Sequence, residues 1–256
     1  MVKEISGIAP SIRYPGHVWA INDSGNGAVL YLYSVEDANL RALFILNGIS
    51  NVDWEDLGMH NENGNGVLYI PDIGDNDAKR SVYSIYKIPE PVIAENDAKI
   101  NKLNVTPEVL RYMYSNGARD AEAMAYDPVD KKITIISKRE KKVFIYSTEW
   151  ISSGPKRTLN PLGQLPLTNV VAADFSSDGS KFLLKTYTTI YLWIRDHKNE
   201  PFCSMISRTP IEVPYQMEPQ GESICFSTTG ILTLSEERFG IQPILFLYPQ
   251  MSERTE

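Results

Sequence analysis

The sequence is poor in several residue types, and each shortage excludes something. Two cysteines, Cys203 and Cys225, occur in 256 residues, too few for a disulfide scaffold. One bridge or two free thiols are both open; because both cysteines sit in apolar, strand-like runs, two free, buried thiols is the favoured reading. The three histidines (His17, His60, His197) are isolated, and no paired-His or CxxC spacing occurs, which argues against zinc. Each histidine reads as a surface or loop residue. No apolar run approaches the roughly 20 residues of a membrane span. Residues 1–10, MVKEISGIAP, lack the apolar stretch of a signal peptide. Basic charge is in deficit: 25 Lys and Arg against 32 Asp and Glu give a net charge of −7. A nucleic-acid backbone binder needs a basic face instead. Long helical patterns are scarce.

Short runs of Val, Ile, Leu, Tyr and Phe recur, punctuated by Gly, Asn, Asp and Pro, as antiparallel strands require. These runs repeat. One kind starts small or acidic and turns apolar: SGIAPS (6–11), DWEDLGM (53–59), DAEAMAYD (120–127), ADFSSDG (173–179) and GESICFS (221–227). A second kind follows each and ends polar: HVWAINDSG (17–25), GVLYIPDIG (66–74), KITIISKRE (132–140), KFLLKTY (181–187) and GILTLSEE (230–237). A third is aromatic: VLYLYS (29–34), VYSIYKI (82–88), VFIYSTE (143–149), IYLWIRD (190–196) and ILFLYPQ (244–249). Looser fourth segments are RALFILN (41–47), EVLRYMY (108–114), RTLNPLGQL (157–165) and PIEVPY (210–215).

Four-stranded repeats of this length predict an all-β protein, a single β-propeller domain over 1–256 with five four-stranded blades. The alternatives are a six-bladed ring or a β-sandwich. The N-terminal VKEIS occupies the position of the missing fifth outer strand and is expected to close the ring. The anchors Ser6, Glu55, Glu122, Asp174 and Glu222 lie 49, 67, 52 and 48 residues apart. The long interval carries an insertion within 89–107, polar and Pro-bounded, which reads as a loop.

In an antiparallel pair, the start of the first strand and the end of the second share one edge. The first strand of each propeller blade lines the central channel, so these positions converge on one mouth. They include Asp23, Asp53, Glu55, Asp72, Asp120, Glu122, Asp174, Glu222 and Glu236. Side chains alternate along a strand, so Asp53 and Glu55 share a face. Trp54 and Asp56 point away, Trp54 to pack between blades and Asp56 as a turn or inter-blade hydrogen-bond acceptor. Converging carboxylates take up protons or a cation, and Ca2+ accepts six to eight oxygen ligands. The candidate metal ligands are Asp23, Asp53, Glu55, Asp72, Glu122, Asp174, Glu222 and Glu236. The competing reading is structural: acids at strand ends also bind neighbouring backbone amides. Arg80, Lys138, Arg139 and Lys185 fall near the same mouth. They are either ion-pair partners or a site for an anionic ligand. DIGDND (72–77) lacks the EF-hand pattern, and a Gly-Asp-Asn turn explains it equally.

The order of these motifs resembles a known group. W-x-I-N-D-S-G (19–25), D-W-E-D (53–56), D-I-G-D-N (72–76) with Arg80, D-A-E-A (120–123), and G-E-S-I (221–224) followed by S-E-E (235–237) carry it. They resemble a bacterial β-propeller family of mostly hypothetical proteins, distantly similar to the SdiA-regulated and esterase-like phytase propellers. The resemblance implies Ca2+ in the channel and a periplasmic, secreted or surface location. The β-propeller-phytase motif itself is missing. No Ser-His-Asp or Cys-His constellation is legible, so the expectation is a monomeric binding propeller for a small molecule, glycan or protein. A metal-dependent hydrolase, most plausibly a phosphoesterase, is the alternative, and a glycosidase or a purely structural scaffold stands behind it.

Overall fold

The computed structural model describes residues 4–93, 100–151, 154–237 and 242–249. β-Branched and aromatic runs form strands because such side chains fit a pleated, half-buried surface. The strands make five sheets, the blades of a propeller.

Blade 1 contains β1 (Ile5–Pro10), β2 (His17–Asn22), β3 (Val29–Ser34) and β4 (Leu40–Asn47), each antiparallel to the next. Blade 2 opens with β5 (Gly58–Glu62), β6 (Asn65–Asp72) and β7 (Tyr83–Pro89). The chain then revisits blade 1: β8 (Ile100–Asn104) pairs parallel with β4, after which β9 (Glu108–Tyr114) pairs with β7. The segment expected as a loop therefore carries a strand. Blade 3 contains β10 (Ala121–Asp127), β11 (Lys132–Ser137) and β12 (Val143–Glu149). The same detour follows. β13 (Arg157–Leu159) pairs parallel with β9 of blade 2, and β14 (Pro161–Leu165) completes blade 3. The single outer strand expected over 157–165 is thus split between two blades.

Blade 4 contains β15 (Val170–Phe175), β16 (Lys181–Thr186), β17 (Ile190–Ile194), the short helix α1 (Phe202–Ile206) and β18 (Ile211–Val213). Blade 5 contains β19 (Ser223–Phe226), β20 (Gly230–Leu234) and β21 (Leu245–Pro249). Blades 1 and 2 have five strands, blades 3 and 4 have four, and blade 5 has three among the described residues. Of the VKEIS segment, Ile5 and Ser6 start β1, the inner strand of blade 1, while Val2 and Lys3 lie outside the described residues. The ring joins where Ile5, Ile8, Val18 and Ala20 pack on Cys225, Leu232 and Leu234.

Each of the five seams between blades holds its own apolar cluster. Trp54 is fully buried between blades 1 and 2, with Trp19 and Phe44 on one side and Leu68 and Ile70 on the other. Both cysteines are free; Cys225 is buried as expected, but Cys203 is exposed on α1.

Asp56 crosses the axis. Its Oδ2 accepts the Met124 N–H of blade 3 at 2.9 Å and the Ala173 N–H of blade 4 at 3.0 Å. Its Oδ1 accepts Leu57 N–H at 2.8 Å, and its own N–H donates to Ser6 O of blade 1 at 3.0 Å. A φ of 55° allows this reach, in the left-handed region that Asp and Asn tolerate best after Gly. On the blade 1 side the backbone of Asp56 lies against Gly7, where a Cβ would collide with it. Asp56→Ala would leave three buried N–H groups without an acceptor and place alanine at positive φ. Its expected cost is about 3 kcal/mol or more. Asp56→Asn keeps one acceptor oxygen and the backbone preference, so urea unfolding should show a smaller loss. Equal losses for the two variants would remove the tie from the fold's energetics.

Candidate functional site

The strand registers set the level of the mouth. Ile5 faces Asn22, Ala121 faces Ser137, Val170 faces Thr186 and Ser223 faces Leu234. Starts of inner strands and ends of second strands do meet at one edge. In blades 1, 3 and 4 the ladder slips by one residue there, leaving Ser6, Glu122 and Val171 as the extra residue. Such a bulge re-aims a side chain. In blade 5, Glu222 immediately precedes β19. In blade 2, residues 53–56 precede β5 but stay bonded to the end of β6: Trp54 bridges Asp72, Glu55 N–H donates to Pro71 O, and the Ile73 and Gly74 N–H groups donate to Asp53 O.

There Asp53 and Glu55 lie beside Asp23, which follows β2. One carboxylate oxygen from each lies within 4.8 Å of the others. The loop bearing Asp23 is pinned by Asn51, whose Nδ2 donates to Asn22 O at 3.0 Å and Asp23 O at 2.9 Å. Asn51 Oδ1 accepts Trp54 N–H at 3.0 Å, so one side chain fixes both halves of the cluster. Gly74 lies against Asp53 and Glu55 so closely that any Cβ would strike their carboxylates. Among the described residues no lysine or arginine forms an ion pair with these three acids. Asp53 is 9% exposed, and its Oδ1 is buried without a hydrogen-bond partner. Two neutral oxygens of blade 1 at the same strand ends, Ser6 Oγ and Asn22 Oδ1, are likewise buried and unpartnered.

Burial and mutual repulsion set the protonation. The Asp53 carboxyl is pushed up to about 6 by burial, with Asp23 and Asp120 adding to it. Glu55 is raised well above the usual carboxylate range by burial and by Glu122, Asp23 and Asp53. Asp23 is raised by burial, with Glu222 and Glu4 contributing.

The other expected site residues divide. Lys138 Nζ lies between Glu122 and Glu222, 3.3 Å from the latter, with its ammonium over the Tyr187 ring. Burial opposes the Lys138 charge, but the two glutamates outweigh it and raise its pKa. Arg139 pairs with Asp120 at 2.5 Å and reaches Asn76. Arg80 pairs with Asp72 at 2.8 Å and donates to Gly74 O at 2.8 Å. Asp72 also accepts the Val52 and Asp53 N–H groups, so it braces the cluster. Glu236 is buried in the segment after β20.

Two residues sit elsewhere. Lys185 is buried in the seam of blades 4 and 5, donating to Gly221 O beside Glu218 at 3.6 Å. Burial pushes it down to about 8, against the pull of Glu218. Asp174 lies four residues into β15, beyond the mouth, and accepts Phe226 N–H of blade 5 at 2.8 Å. Burial raises it to about 7. The position matching Glu122 in blade 4 is Val171, so the repeat alignment was three residues out of step there. Sequence reasoning missed Tyr187, whose hydroxyl donates to Glu222. Its only signal was an aromatic closing the second strand of blade 4.

The chain is thus a five-bladed β-propeller with an acidic mouth. No protein-family model matches it, and no curated protein sequence does. Among solved structures it is similar to a crystal structure of a nidogen/laminin complex. The TM-score is 0.50 at 12% identity, over 91% of this chain and 73% of that one. A chain of the mitotic checkpoint complex aligns at a TM-score of 0.38 and 14% identity, over 72% of this chain and 46% of that one. Such identities speak to the fold alone, and the second score carries no argument.

The raised carboxylates have a pH signature. A folded-state pKa above the unfolded value means that the fold binds the proton more tightly. The stability this contributes is full below the ordinary carboxylate range, about pH 4, and is lost as pH rises through about 6. In chelator, the melting temperature of the native sequence relative to Asp53→Asn should fall across that interval. A flat difference by calorimetry would remove the cluster as its cause.

Proposed function

We propose that the mouth is a Ca2+ site and that the protein is a binding propeller built around it. The supporting observation is the Asp23, Asp53 and Glu55 triad, close-set, unpaired by any described cation, with a buried Asp53 oxygen lacking a partner. Three carboxylates repel one another unless protons or a cation join them. All donors are hard oxygens, which suits Ca2+ rather than a softer metal. Ser6 Oγ and Asn22 Oδ1 are further oxygens that could complete the shell. Glu122 and Glu222 share the one Lys138 ammonium, and Asp72 pairs with Arg80, so they act as walls rather than ligands.

A site with only three charged ligands belongs with the weaker Ca2+ sites that fill at extracellular concentrations. This supports an extracytoplasmic location. The distant resemblance of the motif order to SdiA-regulated and esterase-like phytase propellers accords with the same reading. Arg80, Lys138 and Arg139 each have a carboxylate partner, which weighs against a phosphoesterase that must grip a phosphate. Binding is therefore the reading the geometry favours over hydrolysis.

Ca2+ at a hundredfold its Kd should stabilise the protein by about 2.7 kcal/mol, several degrees in melting temperature. The double variant Asp53→Asn with Glu55→Gln should fold and lose that response. An unchanged melting curve on adding Ca2+ or chelator at neutral pH would overturn the proposal.

A further inference from the structure

Blade 3 lacks half of its outer strand. We infer that the notch this leaves beside Ser147, Thr148 and Glu149 takes up an extended acidic peptide as an added strand. The notch lies on the outer rim, at the end of the blade away from the mouth: Glu149 faces Lys132, at the opposite end of β11 from Ser137. It stands whether or not the mouth holds a cation.

The notch follows from the detour of β13. On its inner side β12 pairs with β11 as far as Glu149, but on its outer side β14 covers only Val143–Tyr146. Residues 157–159 would continue that outer strand, yet they pair with β9 of blade 2. Leu159 holds them there, buried in the seam with Leu110, Tyr112 and Tyr114. β14 then opens at Pro161, which has no N–H to extend a ladder. A cleft of about 590 Å3 results, its lining including Lys132, Ser147, Thr148, Arg157 and Thr158. Hydrogen-bonding direction alternates along a strand. Val143 N–H donates outward to Leu167 O at 3.1 Å, and Phe144 N–H inward to Ser137 Oγ at 2.9 Å. The N–H and C=O groups of Ser147 and Glu149 therefore face the cleft, where no strand of the described residues pairs with them. These three residues offer roughly 10 Å of strand edge.

An open edge invites pairing, and charge selects the partner. The chain as a whole carries −7, yet this end of blade 3 is basic. Lys132 and Arg157 line the cleft, and the exposed Lys131 and Lys156 adjoin them in the chain. Glu149 is the one carboxylate of the lining. Arg157 Nη1 donates to Thr148 Oγ1 at 2.7 Å and to Glu149 O at 3.3 Å, both neutral acceptors. The guanidinium is thus fixed along the edge while its charge is uncompensated. Among the described residues neither Arg157 nor Lys132 forms an ion pair. A strand laid on β12 would accept the Ser147 and Glu149 N–H groups on its carbonyls and bring an acidic side chain to Arg157 and Lys132. A small inorganic anion would meet the charges and leave the backbone groups unpaired. Strand addition satisfies both, main-chain bonds supplying affinity and side chains selectivity.

The test titrates the full chain, at low salt, into fluorescein-labelled short peptides of alternating glutamate and valine and follows anisotropy. Lysine–valine peptides and backbone N-methylated glutamate–valine peptides are the comparisons. The glutamate–valine peptides should bind, and neither comparison series should. Arg157→Glu should weaken binding by about tenfold or more, the loss of one charge-assisted contact, with its melting temperature checked alongside. In the native sequence, amide exchange at Ser147 and Glu149 should slow when the peptide is added. No anisotropy change with the glutamate–valine peptides would overturn the inference. So would equal binding of the lysine or N-methylated series, unaltered binding to Arg157→Glu, or unaltered exchange at the two amides. Binding of a single-stranded oligonucleotide in place of the peptides would overturn it too, assigning the basic patch to phosphates.

Discussion

The carboxylate of Asp56 is the point on which the ring depends. Five sheets packed side by side leave a channel, and nothing in strand pairing alone fixes how the sheets face across it. Asp56 reaches from blade 2 to backbone N–H groups of blades 3 and 4 while its own N–H meets blade 1. Four blades are thus tied at one residue. A buried carboxyl with three backbone donors is costly to desolvate and costly to leave unmet. Positive φ at Asp56 marks the break between this stretch and β5, and Asp53 and Glu55 lie just ahead of it, so the axial tie and the acidic cluster sit on one short segment.

The mouth separates two uses of charge. Around most of its rim each acid touches a base: Asp72 meets Arg80, Asp120 meets Arg139, and Glu122 and Glu222 share Lys138. At blades 1 and 2 that contact stops, and three acids face one another. The contrast within one circle of residues sets the triad apart. An acid with a purely structural role looks like Asp174, inside β15, which accepts a neighbouring blade's N–H.

Much of this was legible in the sequence, for identifiable reasons. The repeated order of segments revealed five blades because each inner strand must be short and apolar. Asp23, Asp53 and Glu55 could be brought together because strand starts and ends share an edge. Trp54 and Asp56 could be assigned to packing and to an inter-blade bond by alternation. What stayed hidden was non-local. Strand β8, INKLN, has a mostly exposed outer-edge pattern with no apolar face to betray it. Asp174 looked like an anchor because blade 4 has Val171 at the true position, and an apolar bulge residue carries no acidic signature. Tyr187 could be linked to Glu222 only once blades 4 and 5 were side by side.

The detours of β8 and β13 have a mechanical consequence. Each returns from a blade already begun to lay a strand along the outer edge of the preceding blade, and the chain then goes back to finish its own blade, as shingles overlap across a joint. The seams between blades 1 and 2 and between blades 2 and 3 are therefore crossed by backbone ladders at the rim as well as by hydrogen bonds at the hub. The junction of blades 5 and 1 rests on apolar side chains among the described residues. The joints between blades 3 and 4 and between 4 and 5 likewise carry no overlapping strand among the described residues. Asp23 and its partners bridge blades 1 and 2, so the acidic cluster sits on a joint that is held at the rim as well as at the hub.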